Sequence, residues 1–231
     1  MAEKILTFNG KTISGPNGTG MVVLKEPAPA HQVVIGGKTY RTVNMPDGKV
    51  WLAENLDFAW NGLSVPTEGA STSTDPQAMY YNYDESTYGW NGYKCGLLYN
   101  WFAVNYLEVH KSTLIPGWHV PTADEWAALA DAVGGESTAG TTLKALDNSA
   151  GSNWPSSWNG TDDYGFSILP GGEYTGNFYE GGIYGCYYSV TESSSSNAYY
   201  RTFSTGISMG LSSSTKKRQR SVRLVQDSTS A

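Results

Sequence analysis

The residues predict a loop-rich chain of many short strands with only two helices, and three observations carry that reading. Aromatics reach 13% while charged residues are held to 16%, with 16 Tyr, 8 Trp and 27 Gly in 231 residues. Because Gly costs a helix interior about 1 kcal/mol per position, this composition favours strands and loops over helical bundles. Turn sequences recur, among them Gly15-Pro16-Asn17-Gly18 and Met45-Pro46-Asp47-Gly48, which suit the backbone reversals of β-turns. A full amphipathic helical period with signals at both ends runs over residues 122–135.

In chain order, residues 1–30 read as a short strand pair and a linker. Ile5, Thr7 and Met21-Val22-Val23-Leu24 flank the first turn, and Pro27-Ala28-Pro29-Ala30 makes an extended spacer. So small a segment cannot bury a core alone; it docks on the main body, or mediates attachment or self-association. Residues 31–231 form the main domain. Its first hairpin joins Tyr40-Arg41-Thr42-Val43 to Val50-Trp51-Leu52 through Pro46-Asp47-Gly48. Residues 61–92 are polar and Gly/Ser/Thr-rich yet studded with tyrosines, an ordered loop region, since disordered segments are poor in aromatics. Residues 97–104 are apolar nearly all round and read as a buried helix, with a buried strand left open by periodicity alone.

The second helix is better marked. Thr122-Ala123-Asp124-Glu125 forms a capping box behind Pro121, then Trp126, Leu129, Ala130 and Val133 fall at i, i+3, i+4 and i+7 before Gly134-Gly135. A shorter helical stretch fits residues 141–146, and everything after Trp154 reads as strands and loops.

Several function classes fall away. No stretch approaches the roughly 18 to 20 apolar residues of a membrane span. The first ten residues lack the apolar core of a secretory signal, so the expectation is either no export by that route or a signal removed upstream. A formal charge of −6 argues against a nucleic-acid partner, whose binding rests on neutralised phosphates. Two cysteines permit at most one internal bridge.

Trp51-Leu52-Ala53-Glu54-Asn55-Leu56, Leu98-Tyr99-Asn100-Trp101, Pro116-Gly117-Trp118-His119-Val120-Pro121-Thr122 with Glu125-Trp126, and Gly160-Thr161-Asp162-Asp163-Tyr164-Gly165-Phe166-Ser167 running into Leu169-Pro170-Gly171-Gly172 occur in that order. Ser189-Val190-Thr191-Glu192, Asn197-Ala198-Tyr199-Tyr200-Arg201 and Ser221-Val222-Arg223 follow. Together, over residues 33–227, they resemble the Fibrobacter succinogenes major paralogous domain family. Members are similar to C-type lectin-like domains, the fold shared with formylglycine-generating enzymes and with the variable proteins of diversity-generating retroelements. The resemblance therefore implies one compact α+β domain of C-type lectin-like fold, two helices with a loop-rich antiparallel sheet. Family copies often carry Cys where this chain has Ile115 and Leu224. That departure suits a reducing environment or assembly without oxidation. A pairing of Cys95 with Cys186 is the alternative, and nothing in the sequence sets their separation.

Candidate chemistry is sparse. His119 lies in a turn motif packing a helix start, with no nucleophile or paired base to assign to it. His31 and His110 fall in linker-like or loop sequence and no metal spacing results. Asp162-Asp163 could help hold calcium, but adjacent acids in a Gly-rich turn more often brace the turn. Neither cysteine lies in a redox motif, so no enzyme, cofactor or metal is expected. The run Lys216-Lys217-Arg218-Gln219-Arg220 with Arg223 reads as a solvated edge or terminal strand kept from pairing by its charges, with an acidic ligand as the alternative.

A contrast in aromatic usage says more. No Trp follows Trp158, whereas residues 172–215 hold seven Tyr, ten Ser, seven Gly and two Asn, the composition of an antibody-like contact surface. In retroelement-diversified proteins, which the chain resembles, adenine-directed mutation of Asn codons reaches Tyr, Ser, Asn, Thr, Cys and others but not Lys, Glu, Gln, Met or Trp. On that reading Glu173, Glu180, Glu192, Met209, Lys216 and Lys217 are fixed, and the variable region spans about residues 170–226. Alternation along a strand places Tyr199, Arg201 and Phe203 on one face and Tyr200, Thr202 and Ser204 on the other. The expected ligand-binding residues are Asn177, Tyr179, Tyr184, Cys186, Ser193, Ser194, Tyr200, Thr202, Ser204, Ser208 and Ser212.

The expectation is a non-enzymatic receptor-binding protein of a phage or mobile element, displaying a diversified C-terminal surface to a cell-surface protein or glycan. It would reside on a virion, associated with the tail, or on a bacterial surface, without membrane insertion, and a homo-oligomer stays open. The alternative is a conventional bacterial surface or secreted module with a fixed ligand.

Overall fold

The computed structural model describes residues 7–8, 11–12, 31–68, 73–84, 95–146, 154–155 and 160–228. They form an α+β fold with few helices and short antiparallel strands. The elements are β1 (Thr7–Phe8), β2 (Lys11–Thr12), β3 (His31–Ile35), β4 (Lys38–Asn44), β5 (Val50–Leu52), β6 (Ala78–Met79), β7 (Leu98–Asn100), α1 (Trp101–Val109), α2 (Lys111–Leu114), β8 (Trp118–His119), α3 (Ala123–Ala132) and α4 (Glu136–Leu143). After these come β9 (Glu173–Tyr174), β10 (Phe178–Tyr179), β11 (Gly185–Glu192), β12 (Asn197–Phe203), β13 (Met209–Thr215), β14 (Gln219–Arg220) and β15 (Val225–Gln226).

β1 pairs with β2 through Thr7–Thr12 and Phe8–Lys11. The residues between them are Asn9-Gly10. The turn at 15–18 and the Pro-Ala linker lie outside the described residues. Beyond them, three antiparallel sheets run β3-β4-β5-β15-β8, β10-β9-β14-β7-β6 and β11-β12-β13. The predicted hairpin is β4–β5, closed by Gly48 N donating to Met45 O. Asp47 braces it by accepting from Lys49 N and Trp51 Nε1.

The apolar run at residues 97–104 divides instead of choosing one structure. β7 ends at Asn100, whose Oδ1 accepts from Ala103 N at 2.9 Å and so starts α1. The capping box of α3 is formed as predicted, with Thr122 and Glu125 each satisfying the other's backbone N–H. Gly134 and Gly135 sit at φ of 110° and 90°, where a side chain would be strained, and turn the chain into α4. That helix begins earlier than the expected stretch at 141–146, and with the short α2, which the sequence does not predict, the described residues hold four α-helices besides a 3-10 turn at Tyr81–Tyr83. None is long and apolar enough to cross a membrane.

Two cores result. One gathers Leu52, Leu97, Tyr99, Trp101, Val104, Trp118 and Tyr188 around α1. Ile115 and Leu224 are both buried in it. The other surrounds α3, where Trp126 lies 5.0 Å from Trp51 and 6.1 Å from Tyr187 between ring centres. Cys95 and Cys186 are both buried and not joined by a disulfide.

The basic run near the C-terminus is not a solvated edge. β14 lies between β9 and β7, and β15 between β5 and β8. Lys216, Arg220 and Arg223 are buried because each finds acceptors inside, while Lys217 alone of the run is fully turned to solvent. Arg223 donates to Asn55 Oδ1, Leu52 O, Phe166 O and Ser167 O at 2.7 to 2.9 Å.

Trp126→Ala should lower unfolding free energy by about 3 to 5 kcal/mol through lost burial and a residual cavity; a denaturant melt matching the parent would contradict this packing. Adding a reductant should leave the melting temperature unchanged, since Cys95 and Cys186 are not joined and hydrophobic packing holds the core that contains Ile115 and Leu224.

Candidate functional site

The sheet β11-β12-β13 places the expected binding residues by register. Tyr188, Tyr200 and Ser212 lie across from one another, as do Cys186, Thr202 and Gly210. The opposite face carries Tyr187, Arg201 and Leu211, with Phe203 and Met209 packed into the Trp126 core. Arg201 reaches Glu136 at the start of α4 and Ala123 O. Tyr199 shares that face, half-buried at its margin.

The face bearing Tyr200 is covered along β11 and half-buried over β12 and β13, where Tyr200 packs against the core around α1. α1 covers the β11 side: Trp101 Nε1 donates to Ser189 O at 3.2 Å, and Tyr188 and Ala198 belong to the core around that helix. Tyr200, Thr202, Ser204 and Ser212 remain half-buried. The Tyr200 ring rests on the Arg220 guanidinium, 3.6 Å from its centre, an arrangement that fixes the ring by cation–π attraction. Arg220 also donates to Tyr188 Oη at 3.1 Å and pairs with Glu173 at 2.6 Å, and Arg218 pairs with the other Glu173 oxygen. Neither Arg220 nor Glu173 is identifiable as part of the site from sequence, because the acid and the cationic run that pair here lie more than forty residues apart.

The remaining candidates separate into two groups. Asn177 and Tyr179 are exposed on the β9–β10 hairpin, and Tyr184 is half-buried. The Tyr179–Tyr184 loop folds onto Gly172, whose N–H donates to Tyr184 O and whose φ of 66° and closeness to Tyr179 O leave no room for a Cβ. Gly172 bridges Gly185, the end of the sheet at which Ser204 and Ser208 also lie. Ser193 and Ser194 occupy the opposite end, about 20 Å away along the seven-residue β12. Ser194 has a structural task as well, its Oγ accepting from Ser196 N and Asn197 N.

Cys186 is not displayed. It is 3% exposed beneath β14, and burial pushes its thiol up to about 12 despite the nearby Arg220 charge, so it is neither a contact residue nor a nucleophile at neutral pH. Leu211 and Ile207, 49% and 63% exposed, are apolar surface residues outside the expected set. Both escape composition-based reading because they sit among Ser and Gly.

His119 is engaged by the helix start. Its Nε2 meets Glu125 Oε1 at 2.9 Å and its Nδ1 meets Asp227 at 2.6 Å, while Glu125 also accepts from Lys49 Nζ and Thr122 N. Burial alone would lower the imidazole pKa, but the two carboxylates outweigh it and raise it. Burial alone would raise the Glu125 pKa; His119, Lys49 and the Thr122 N–H outweigh it and hold the carboxyl well below the ordinary range. Asp162 braces its own turn, both oxygens accepting from Ser167 at 2.7 Å. Among the described residues no cluster of His, Cys, Asp or Glu could hold a metal ion. A cavity of about 370 Å³ near Lys38, Tyr40, Glu54 and Asp57 is lined by none of the candidate residues.

The His119–Glu125 pair predicts a pH dependence. His119, with its raised pKa, contributes stability in full below the ordinary imidazole value of about 6.5 and loses it as pH climbs through the raised folded value. Glu125, with its lowered pKa, contributes above about 4.5 and loses it on acidification. Stability from this pair should peak between those values, and His119→Gln should flatten the alkaline limb of the melting-temperature profile. A parent profile already flat above pH 6.5 would contradict the arrangement.

No curated protein and no solved structure matches the chain. Residues 47–226 match the model of the Fibrobacter succinogenes major domain, which covers well over half of the sequence and the whole of the strand and helix framework from β5 to β15. The chain belongs to the Fibrobacter succinogenes major domain family.

Proposed function

We propose that this protein is a non-enzymatic ligand-binding module whose C-terminal sheet displays a diversified contact surface. The scaffold is read as C-type lectin-like, in keeping with its few helices and loop-rich antiparallel sheets. On this reading it is a variable protein of a diversity-generating retroelement, carried by a phage or other mobile element and directed at a cell-surface protein or glycan. The observation that carries the reading is the alternation on β12 and β13. Residues of types that adenine mutation reaches, Tyr200, Thr202 and Ser212, share a half-buried face, whereas Phe203 and Met209 on the opposite face are buried in the Trp126 core. A surface can then change while the packing beneath it stays constant. Tyr offers rigid area with a polar tip at small entropy cost, and Ser and Asn adapt their hydrogen bonds.

A fixed-ligand surface module is the competing reading, and the coding DNA separates them. A near-copy of the segment encoding about residues 170–226, differing at adenines and lying near a reverse transcriptase gene, is expected. At the protein level, replacing the exposed Asn177, Tyr179 and Ser208 together should change stability little, since exposed sites usually stay within about 0.5 kcal/mol each. Retention on bacterial cells or a glycan array should fall most with Tyr179→Ala, Tyr184→Ala and Tyr200→Ala, because a few aromatic anchors carry most interfaces. A large loss of stability in the combined variant, or binding indifferent to all three tyrosines, would refute the surface.

A further inference from the structure

Each of the two turns that bound the sheet β11-β12-β13 is held from beneath by a buried lysine, and the contact goes to main chain. Lys144, 2% exposed, follows α4 and donates through Nζ to Ser204 O at 2.9 Å and Gly206 O at 3.0 Å, 5.0 Å from the Trp154 ring centre. Lys216, 6% exposed, follows β13 and donates to Ser195 O at 2.9 Å while pairing with Glu192 at 2.6 Å, 4.3 Å from the Trp101 ring centre. Other bonds to the turns have the same character. Thr141 N donates to Ile207 O and Lys216 N to Ser196 O, both at 3.0 Å, and Gly140 approaches the Ile207 and Ser208 carbonyls so closely that no Cβ would fit.

A carbonyl oxygen is present whatever the side chain, so an anchor of this kind does not depend on the identity of the residue it holds. Burial favours loss of the Lys144 proton, and the two carbonyls supply the solvation that water would otherwise give. We infer that Lys144 and Lys216 are positioning residues that fix the turns 204–208 and 193–196 through their backbones, so that these turns keep one shape under many side-chain sequences. Ser194 is the exception, because its own hydroxyl braces its turn. The inference rests on the display reading only for its purpose; the anchoring itself is a property of the free protein.

Amide hydrogen exchange on the ligand-free protein tests it. Lys144→Met should speed exchange of the Thr141 amide, which reports the 204–208 turn by donating to Ile207 O, by on the order of tenfold or more, the effect of losing hydrogen bonds from a charged donor, and leave the Ser193, Ser194 and Asn197 amides of the 193–196 turn unchanged. Lys216→Met should do the reverse. Ser193→Asn, Ser204→Tyr and Ser208→Arg in the parent background should leave exchange in both turns and the melting temperature unaltered. Both turns loosening together in either lysine variant, or neither responding, would overturn the inference. So would turns loosened by the serine substitutions, which decide the matter even if a methionine variant fails to fold. None of these outcomes depends on whether a ligand binds, so failure here and failure of the binding reading are separate results.

Discussion

The interaction on which the rest of the fold depends is the burial of the Arg223 guanidinium. Removing such a cation from water costs several kcal/mol unless its donors are answered. Here all three of its nitrogens donate, to Asn55 and Leu52 from the first half of the domain and to Phe166 and Ser167 from the second. Its carbon plane also lies over the Phe166 ring, 5.1 Å from the centre. Guanidinium suits the task because its planar fork reaches several fixed acceptors at once, which a lysine ammonium on a flexible stem does not reproduce. The backbone completes the closure, with Leu52 N donating to Leu224 O and Leu56 N to Val222 O. The C-terminal segment is therefore the central seam of the domain, not a trailing edge.

Three residues earlier, Arg220 connects that seam to the surface. It is fully buried, paired with Glu173 and in contact with Tyr188 and Tyr200. Burial alone would lower its pKa, but the Glu173 carboxylate beside it helps to outweigh that and keep the guanidinium charged. The half-buried Tyr200 thus rests on a charge belonging to the core. Any ligand touching the outer side of that ring meets a group whose position is set by the C-terminal strand, which reduces the ordering cost of binding.

What the sequence made legible was local. The Thr122–Glu125 capping box, the Pro46-Asp47-Gly48 turn and the burial of Arg201 and Phe203 on one face of β12 each depend on neighbours within a few positions, and each stands where it is expected, although Tyr200 and Thr202 are half-buried and not displayed. The apolar stretch before α1 held a readable signal too, since Asn100 is a good N-cap residue set inside it. The misreadings involve partners far away in the chain. Charges at Lys216, Arg220 and Arg223 look solvated until Glu192, Glu173 and the carbonyls near Leu52 and Phe166 are brought to them, and no window of sequence contains both sides. Cys186 fails as a surface residue for the same reason, being covered by β14 rather than by anything adjacent. The anchoring by Lys144 has no sequence signal, as its acceptors are carbonyls that every residue carries.

Burial across the third sheet is graded. β11 is buried through most of its length, β12 is buried mainly on the face that carries Arg201 and Phe203, and β13 is buried only at Met209. Substitution penalties follow burial, because transfer and cavity terms vanish where a side chain already meets solvent. The sheet therefore passes in three strands from positions that specify the fold to positions that hardly affect it, while hydrogen bonding between strands keeps the last as well placed as the first. Trp101 and Trp126 strengthen this arrangement by donating their indole N–H groups to the Ser189 and Tyr188 carbonyls of β11, holding the sheet at its buried side by main chain. Fixed backbone with weakly constrained side chains is thus found toward the β13 edge of the sheet and in the turn that leads into it.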